Sequence, residues 1–321
     1  MNTRLYRHGA LESRDFPMAD VSDLVVGEGV AVWADFIAPT AEDLAQIEEE
    51  LGLHHLAIED ALHDYQRPKL DRYDTHLFLA AYAATLNSKT GELTTSEIKA
   101  FVTPNALITI HGPEFDMSQV VRRWDNDSRL SVHGSSFLLW GLLDEIVDGY
   151  FDTVQRLDEQ IDGLEDALFE EKPRNGDIQR RSFELRKSLV RLRRVVMPMR
   201  EVVNTIMRRD FDMMSREMMP YFQDVYDHVL RATDWTDSLR DLVTTILETN
   251  VGLQGNRMNM IMKKVTSWAA IIAVPTAITG YYGQNVPYPG FAEPWGFWFS
   301  SAAIVTISFG LYFTFKRQDW L

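Results

Sequence analysis

The sequence predicts a two-part chain: an α/β domain that folds in water, then a long helical stalk leading into two C-terminal membrane-spanning helices. Three observations point there. Charge stops abruptly near the end: no Asp, Glu, Lys or Arg falls from Val265 to Ala292, nor from Pro294 to Phe315. Residues 1–135 mix strand and helix signals. Between these regions, apolar positions recur at helical spacing with few helix breakers.

Within residues 1–135, Val30–Ile37 reads as a strand. Thr40 opens a helix to Leu51, with Glu42 and Asp43 in the first turn, where the helix dipole favours negative charge. His76–Leu86, Glu97–Thr103 and Ala106–His111 read as strands around turns at Asn87–Gly91 and Pro104–Asn105.

Residues 136–210 read as an antiparallel helical hairpin, Phe137–Glu170 and Asp177–Arg209, joined by the turn Pro173–Gly176. The first arm carries Asp158, Asp162, Glu165, Asp166, Glu170 and Glu171; the second carries Arg180, Arg181, Arg186, Lys187 and Arg191. Charge pairing between the arms is the simplest use of this pattern.

Residues 211–282 read as a stalk helix that continues into the first span, at about 265–282. Val225, Val229, Ala232, Leu239, Val243, Ile246 and Leu253 recur near a spacing of 3.5. One helix of this extent would be on the order of 100 Å long. A helix that runs from water into lipid needs neighbours, and other copies of the chain are the obvious supply.

Val265–Tyr282 gives roughly 27 Å of helix, and residues 295–315 roughly 31 Å. Both suit a hydrocarbon core about 30 Å thick. Pro275 interrupts the first span, which membrane helices tolerate. Tyr281, Tyr282, Tyr288, Trp295 and Trp298 stand where one aromatic belt belongs, and Trp268 and Trp320 where the other does. Lys263 and Lys264 precede the spans, Lys316 and Arg317 open the tail at 316–321, and the loop 283–294 has no Lys or Arg. Basic residues favour the cytoplasmic side, so both termini and the α/β domain are expected in the cytoplasm of a cell inner (plasma) membrane protein.

Composition excludes several function classes. A formal net charge of −15 argues against nucleic-acid partners and suits cations. With no cysteine, disulfides and thiolate metal sites are ruled out. Met1–Asp20 has charges throughout and does not read as a cleaved signal. No Gly-x-x-x-x-Gly-Lys pattern and no nucleophile–base constellation stands out, so neither an enzyme nor a cofactor is expected. His55, Glu59 and His63 are spaced by four, but the metalloprotease spacing is missing, and a hydrogen-bonded surface role is the simpler reading.

Two patterns on the stalk carry more. Gly252, Gly255, Asn259, Met262, Thr266, Ala269, Ala270, Ala273, Thr276, Ala277, Gly280 and Gly283 share one helix face. Close packing of small residues and the lining of a pore both explain this face. Asn259, Thr266 and Thr276 favour the pore, because polar atoms at membrane depth face water or partners. Opposite the apolar stripe, Asp227, Asp234, Asp241 and Glu248 form a seven-residue series with Asp224 beside it. They read either as a solvated face or as regulatory metal ligands.

The first span ends in Tyr282–Gly283–Gln284–Asn285, a short loop with the single charge Glu293 follows, and the chain closes on Lys316–Arg317–Gln318–Asp319–Trp320–Leu321. Upstream stand Leu56–Asp60 and Gln66–Lys69. This arrangement resembles the CorA family, including its ZntB branch, over nearly the whole chain. Gln284 replaces the family's usual methionine. The resemblance implies a funnel-shaped homopentamer in a lipid bilayer, with the long helix lining a pore for divalent cations. It implies a selectivity filter at Gly283, Gln284 and Asn285, and pore-lining roles for Asn259, Met262, Val265, Thr266, Ala273, Thr276 and Gly280. Glu293 would attract cations at the outer mouth. Mg2+ uptake down its electrochemical gradient is the expected function, with Co2+, Ni2+ or Zn2+ as other cargo. Proton-coupled Zn2+ transport and a non-conducting membrane sensor are the alternatives.

Overall fold

The structure, a computed structural model, describes residues 1–321 except 64–65, 88–90, 128, 171–174 and 209–213. The turns read at Asn87–Gly91 and Pro173–Gly176, the acidic Glu171 and the arm's end at Arg209 fall wholly or partly outside the described residues. The chain divides into two units, Met1–Ile246 and Leu247–Leu321.

The first unit is built on a seven-stranded sheet. In chain order its elements are β1 (Asn2–Arg7), β2 (Ala10–Arg14), α1 (Val21–Leu24), β3 (Val30–Ile37), α2 (Ala41–Leu51), α3 (His55–Leu62), β4 (Lys69–Arg72), β5 (Leu77–Leu86), β6 (Leu93–Val102), β7 (Ala106–His111) and α4 (Ser118–Asn126). Three long helices follow: α5 (Ser135–Leu168), α6 (Asn175–Arg208) and α7 (Met219–Tyr282), the last with its first part in this unit. The strand order is β2-β1-β3-β7-β6-β5-β4. Only β3 and β7 pair in parallel; every other neighbour is antiparallel.

The central strands are apolar on both faces because both faces are covered. On one side Val32, Ala34, Phe36, Phe78, Phe101 and Ile108 pack against Leu44 and Ile47 of α2 and Ala57, Ile58 and Ala61 of α3. The α2 start is held by a capping box: the Thr40 hydroxyl accepts from the Asp43 amide at 3.2 Å, and the Asp43 carboxylate accepts from the Thr40 amide at 2.8 Å. On the other side the fully buried Trp124 of α4 meets Trp33 of β3 edge-on, 5.0 Å between ring centroids. Its indole N–H donates to the Leu138 carbonyl at 3.1 Å. From α5, Tyr150 donates to the Tyr82 carbonyl and Thr153 to the Ala84 carbonyl, tying that helix along β5.

Two buried histidines sit in opposite electrostatic settings. His111 lies 3.1 Å from Asp35, both essentially unexposed, and Thr109 donates to the same carboxylate at 2.6 Å. Burial opposes its charge, but the hydrogen bond to Asp35 and that carboxylate's field outweigh it and hold the His111 pKa above its ordinary value. His76 has no such partner. Burial, and then the nearby His54, push its pKa down to about 4.

Among the described residues, the helical hairpin is held by apolar contact. Leu157, Ile161, Leu164 and Leu168 of α5 and Ile178, Leu185, Leu189, Leu192 and Val196 of α6 are buried. Among the described residues, no ion pair joins the acidic run of α5 to the basic run of α6, against the expected pairing. In a hairpin the facing stripes take the seam and the charged faces turn outward. Instead Arg193 of α6 binds Asp237 of α7 at 2.7 Å. On α7, Val225, Val229, Ala232, Leu239, Val243 and Ile246 are all buried.

The second unit holds the end of α7, a loop and α8 (Pro294–Arg317). α7 runs without interruption for 64 residues, through Pro275. Both helices are long and apolar enough to cross a membrane, and very little of either apolar window is buried by the chain itself.

Candidate functional site

Aromatic and backbone contacts fix the two ends of the α7–α8 hairpin. At the loop end, Tyr288 donates its hydroxyl to the Tyr282 carbonyl at 2.7 Å, and its ring packs on Tyr281, Tyr282 and Phe291. Gly290, at φ 89°, brings its carbonyl so close to Gly296 that a Cβ there would lie 2.5 Å from the oxygen. The loop is thereby folded back onto the start of α8. At the other end the Lys263 ammonium stands 5.7 Å over the Trp320 ring, and Trp320 stacks on Phe315. Of the residues assigned to the two membrane interfaces, Tyr281, Tyr282 and Tyr288 thus meet at the loop end, and Lys263 meets Trp320 at the other.

Gly283 closes α7 by donating its amide to the Thr279 carbonyl at 2.8 Å. Its φ is not in the left-handed region, so a tight turn is not what demands glycine here. The demand is steric: a Cβ would sit 2.9 Å from the Thr279 oxygen. Gln284 and Asn285 follow in the bend and are exposed. Glu293 is the exposed N-cap residue of α8, its carboxylate making no cap hydrogen bond.

Along the span, Ser267, Ala270, Ile271, Val274, Pro275, Ile278 and Tyr282 are the positions with reduced exposure. Singly or as neighbouring pairs, they recur every three or four residues and mark the side the chain itself covers. Asn259, Met262, Val265, Thr266, Ala273, Thr276 and Gly280 lie on the opposite arc, and every one is exposed. Met262 is 57% and Val265 59% accessible. The Thr276 hydroxyl donates to the Ile272 carbonyl at 3.0 Å, so what it presents outward is its lone pairs. A face of this kind, with small residues, acceptor oxygens and bare apolar side chains, is complete only when something else lies against it.

The acidic positions of the stalk diverge. Asp227, Asp234, Asp241 and Glu248 are exposed. Asp227 accepts from Gln223 at 2.9 Å, and Asp241 from Arg240 at 3.3 Å. Asp224 alone is brought into a group: its carboxylate, that of Asp144 on α5 and a ring nitrogen of His228 lie within 4.8 Å of one another. Asp144 is buried and already bound by Arg123, which also reaches Glu145 and Asp148. His228 leaves its Nδ1 without a partner among the described residues. Two carboxylates and an imidazole suit a transition dication better than Mg2+, which prefers oxygen ligands and its own water. Sequence spacing did not suggest this group: His228 stands four residues from Asp224 on α7, but Asp144 reaches that pair only through the packing of α5 on α7. The His55, Glu59 and His63 series does not share one helix: His63 caps α3 in an extended conformation, and His55 pairs with Glu48 at 3.4 Å.

These features have counterparts among known proteins. The family described as "CorA-like Mg2+ transporter protein" matches residues 28–317. A cobalt/magnesium transport protein CorA from Thermotoga maritima is 29% identical over 316 residues, covering 97% of this chain and 90% of that protein. A putative metal ion transporter of Bacillus subtilis, YfjQ, is 30% identical over 292 residues, 90% of this chain and 89% of that protein. A zinc transport protein ZntB from Yersinia pseudotuberculosis is 23% identical over 258 residues, 79% of this chain and 77% of that protein. In fold, the chain is similar to the CorA magnesium transporter structure from Methanocaldococcus jannaschii, with a TM-score of 0.80 at 24% identity, covering 99% and 98% of the two chains. With the family match running over nearly its whole length, the chain belongs to the CorA-like Mg2+ transporter family and is a membrane transporter of divalent metal ions, not an enzyme.

Proposed function

We propose that the chain assembles as a homopentamer in the plasma membrane, with both termini cytoplasmic, and conducts Mg2+ inward along the uncovered face of α7. The observation that carries this reading is the arc from Asn259 to Gly280, exposed throughout and ending at Gly283–Gln284–Asn285.

Mg2+ gives up its water reluctantly, and no carboxylate lies within the span to replace that water. A ring of Asn285 amide carbonyls accepts hydrogen bonds from the ion's hydration shell, so it selects an intact hydrated dication by size and geometry. Gly283 holds the helix end where that ring must form. Thr276 offers a second layer of acceptors deeper in. Glu293 raises the local cation concentration at the mouth. An inside-negative potential of 100 mV contributes about 4.6 kcal/mol for two charges, so no nucleotide hydrolysis is required.

Met262 and Val265 form an apolar constriction that closes to ions by dewetting. Cytoplasmic dications gate it by binding the closed state better than the open one, through Asp224, Asp227, Asp234, Asp241 and Glu248. Asp224, with Asp144 and His228 beside it, is the strongest of these positions. Gln284, where the family usually carries methionine, leaves open a second reading, Zn2+ transport coupled to protons.

Flux into liposomes separates the readings. Mg2+ uptake that needs only a membrane potential supports the channel. Zn2+ uptake that follows a pH gradient supports the second reading. Zero flux for Mg2+, Co2+, Ni2+ and Zn2+ removes both.

A further inference from the structure

Charge in the first unit is segregated in a way that conduction does not use. The chain carries 47 acidic and 32 basic residues, yet α6 carries nine basic residues against three acidic. Part of that basic run lines a cavity of about 840 Å3, where α6 faces β5, β6 and the segment before β4. Arg191, Arg193 and Arg194 form one wall, and Arg67 stands in that preceding segment. Among the described residues that line it, none is acidic.

Arg193 is spoken for by Asp237. Arg191, Arg194 and Arg67 are exposed, and none forms an ion pair among the described residues. Arg191 and Arg194 are three residues apart, so their stems rise from the same side of α6. The exposed Thr95 of β6 adds a hydroxyl to the lining. Three uncompensated guanidinium groups around one concavity repel each other and stay together at a cost in stability, unless an anion takes them up.

We infer that this cavity binds a soluble oligophosphate, the chemical class of inorganic tripolyphosphate and the phosphate chain of nucleoside triphosphates. Guanidinium forks match phosphate oxygens two by two. A single phosphate neutralises at most two of the three free arginines, whereas a chain of phosphates reaches all three. The volume lies within the range of small-molecule sites and far exceeds one phosphate. The Arg193–Asp237 pair ties the same wall to α7, so occupancy bears on the helix that continues into the span.

The test is isothermal titration calorimetry on the full chain in neutral-lipid nanodiscs. EDTA is present, so that no cation bridges the probe to acidic surfaces. Sodium tripolyphosphate is expected to bind saturably, and inorganic phosphate about tenfold or more weaker. Arg191→Ala with Arg194→Ala weakens tripolyphosphate by about tenfold or more, and Arg67→Ala, from the other wall, weakens it independently. Arg200→Ala, an exposed arginine on α6 outside the cavity, leaves it unchanged. No saturable binding overturns the site, as does equal weakening by Arg200→Ala. Loss of the oligomer in the Arg191/Arg194 variant, with no tripolyphosphate binding to the parent chain, would assign the cavity to an acidic segment of a neighbouring copy instead.

Discussion

The two units of this chain solve the problem of apolar surface in opposite ways. Met1–Ile246 finishes itself: Trp124, Phe78, Phe101 and Phe137 are essentially unexposed, and α2, α3, α4 and α5 cover the two faces of the sheet. Leu247–Leu321 does not: Ile272 is 63% accessible and Trp298 71%, in helices with almost no charge. In water such a surface would aggregate; in lipid it is at rest. The first unit is therefore specified by its own contacts. The second is specified by what surrounds it, and its exposed polar positions gain meaning only from other copies.

The largest effect that would test this contrast is functional. Asn285→Ala should abolish selective Mg2+ flux in liposomes while leaving assembly and the melting of the first unit unchanged. Gly283→Ala should approach the same loss, because its Cβ drives against the Thr279 carbonyl. Wild-type uptake by Asn285→Ala would remove this residue from the filter.

Next in size is a stability contrast. Trp124→Ala should cost the first unit about 3–5 kcal/mol, read by circular dichroism during denaturant unfolding of the detergent-solubilised chain. Trp298→Ala should leave that transition within about 0.5 kcal/mol. Equal losses would mean that the two units are not independently specified.

Smaller, but distinctive in sign, is pH. The His111 pKa is raised in the folded state, so its contribution is fully present below about 6.5 and is lost as pH rises through the elevated folded value. The His76 pKa is depressed to about 4, so stability falls as pH drops from about 6.5 toward 4. The first unit should therefore unfold most reluctantly slightly above pH 6.5. Asp35→Asn should remove the alkaline limb and His76→Gln the acidic one, as seen in the melting temperature across pH.

What was legible in the sequence follows the same division. The strands at Val30–Ile37 and Ala106–His111 matched their expected bounds, because buried central strands announce themselves as apolar runs. The α7 stripe from Val225 to Ile246 was legible because one helix face meets one apolar layer. β1 and β2 were missed: Ala10–Arg14 is a polar edge strand and Asn2–Arg7 the largely polar strand beside it, and together they bury little beyond Thr3, Leu5 and Tyr6. The charge pairing expected between the hairpin arms was misread, since opposite charges on two helices say nothing about which faces meet. The Asp144–Asp224–His228 group was beyond reach for a similar reason, since Asp144 is about 80 residues from the Asp224–His228 pair and only tertiary packing brings it there. For the span, sequence gave the apolar length and the arc of candidates. Which copies close around that arc depends on chains outside this one.

Native mass spectrometry of the full chain released from lipid nanodiscs addresses that dependence directly. A pentamer, with monomer appearing only after denaturation, is the expected result. A stable monomer in lipid would leave the Asn259–Gly280 arc facing hydrocarbon and would contradict a conduction path between copies of α7.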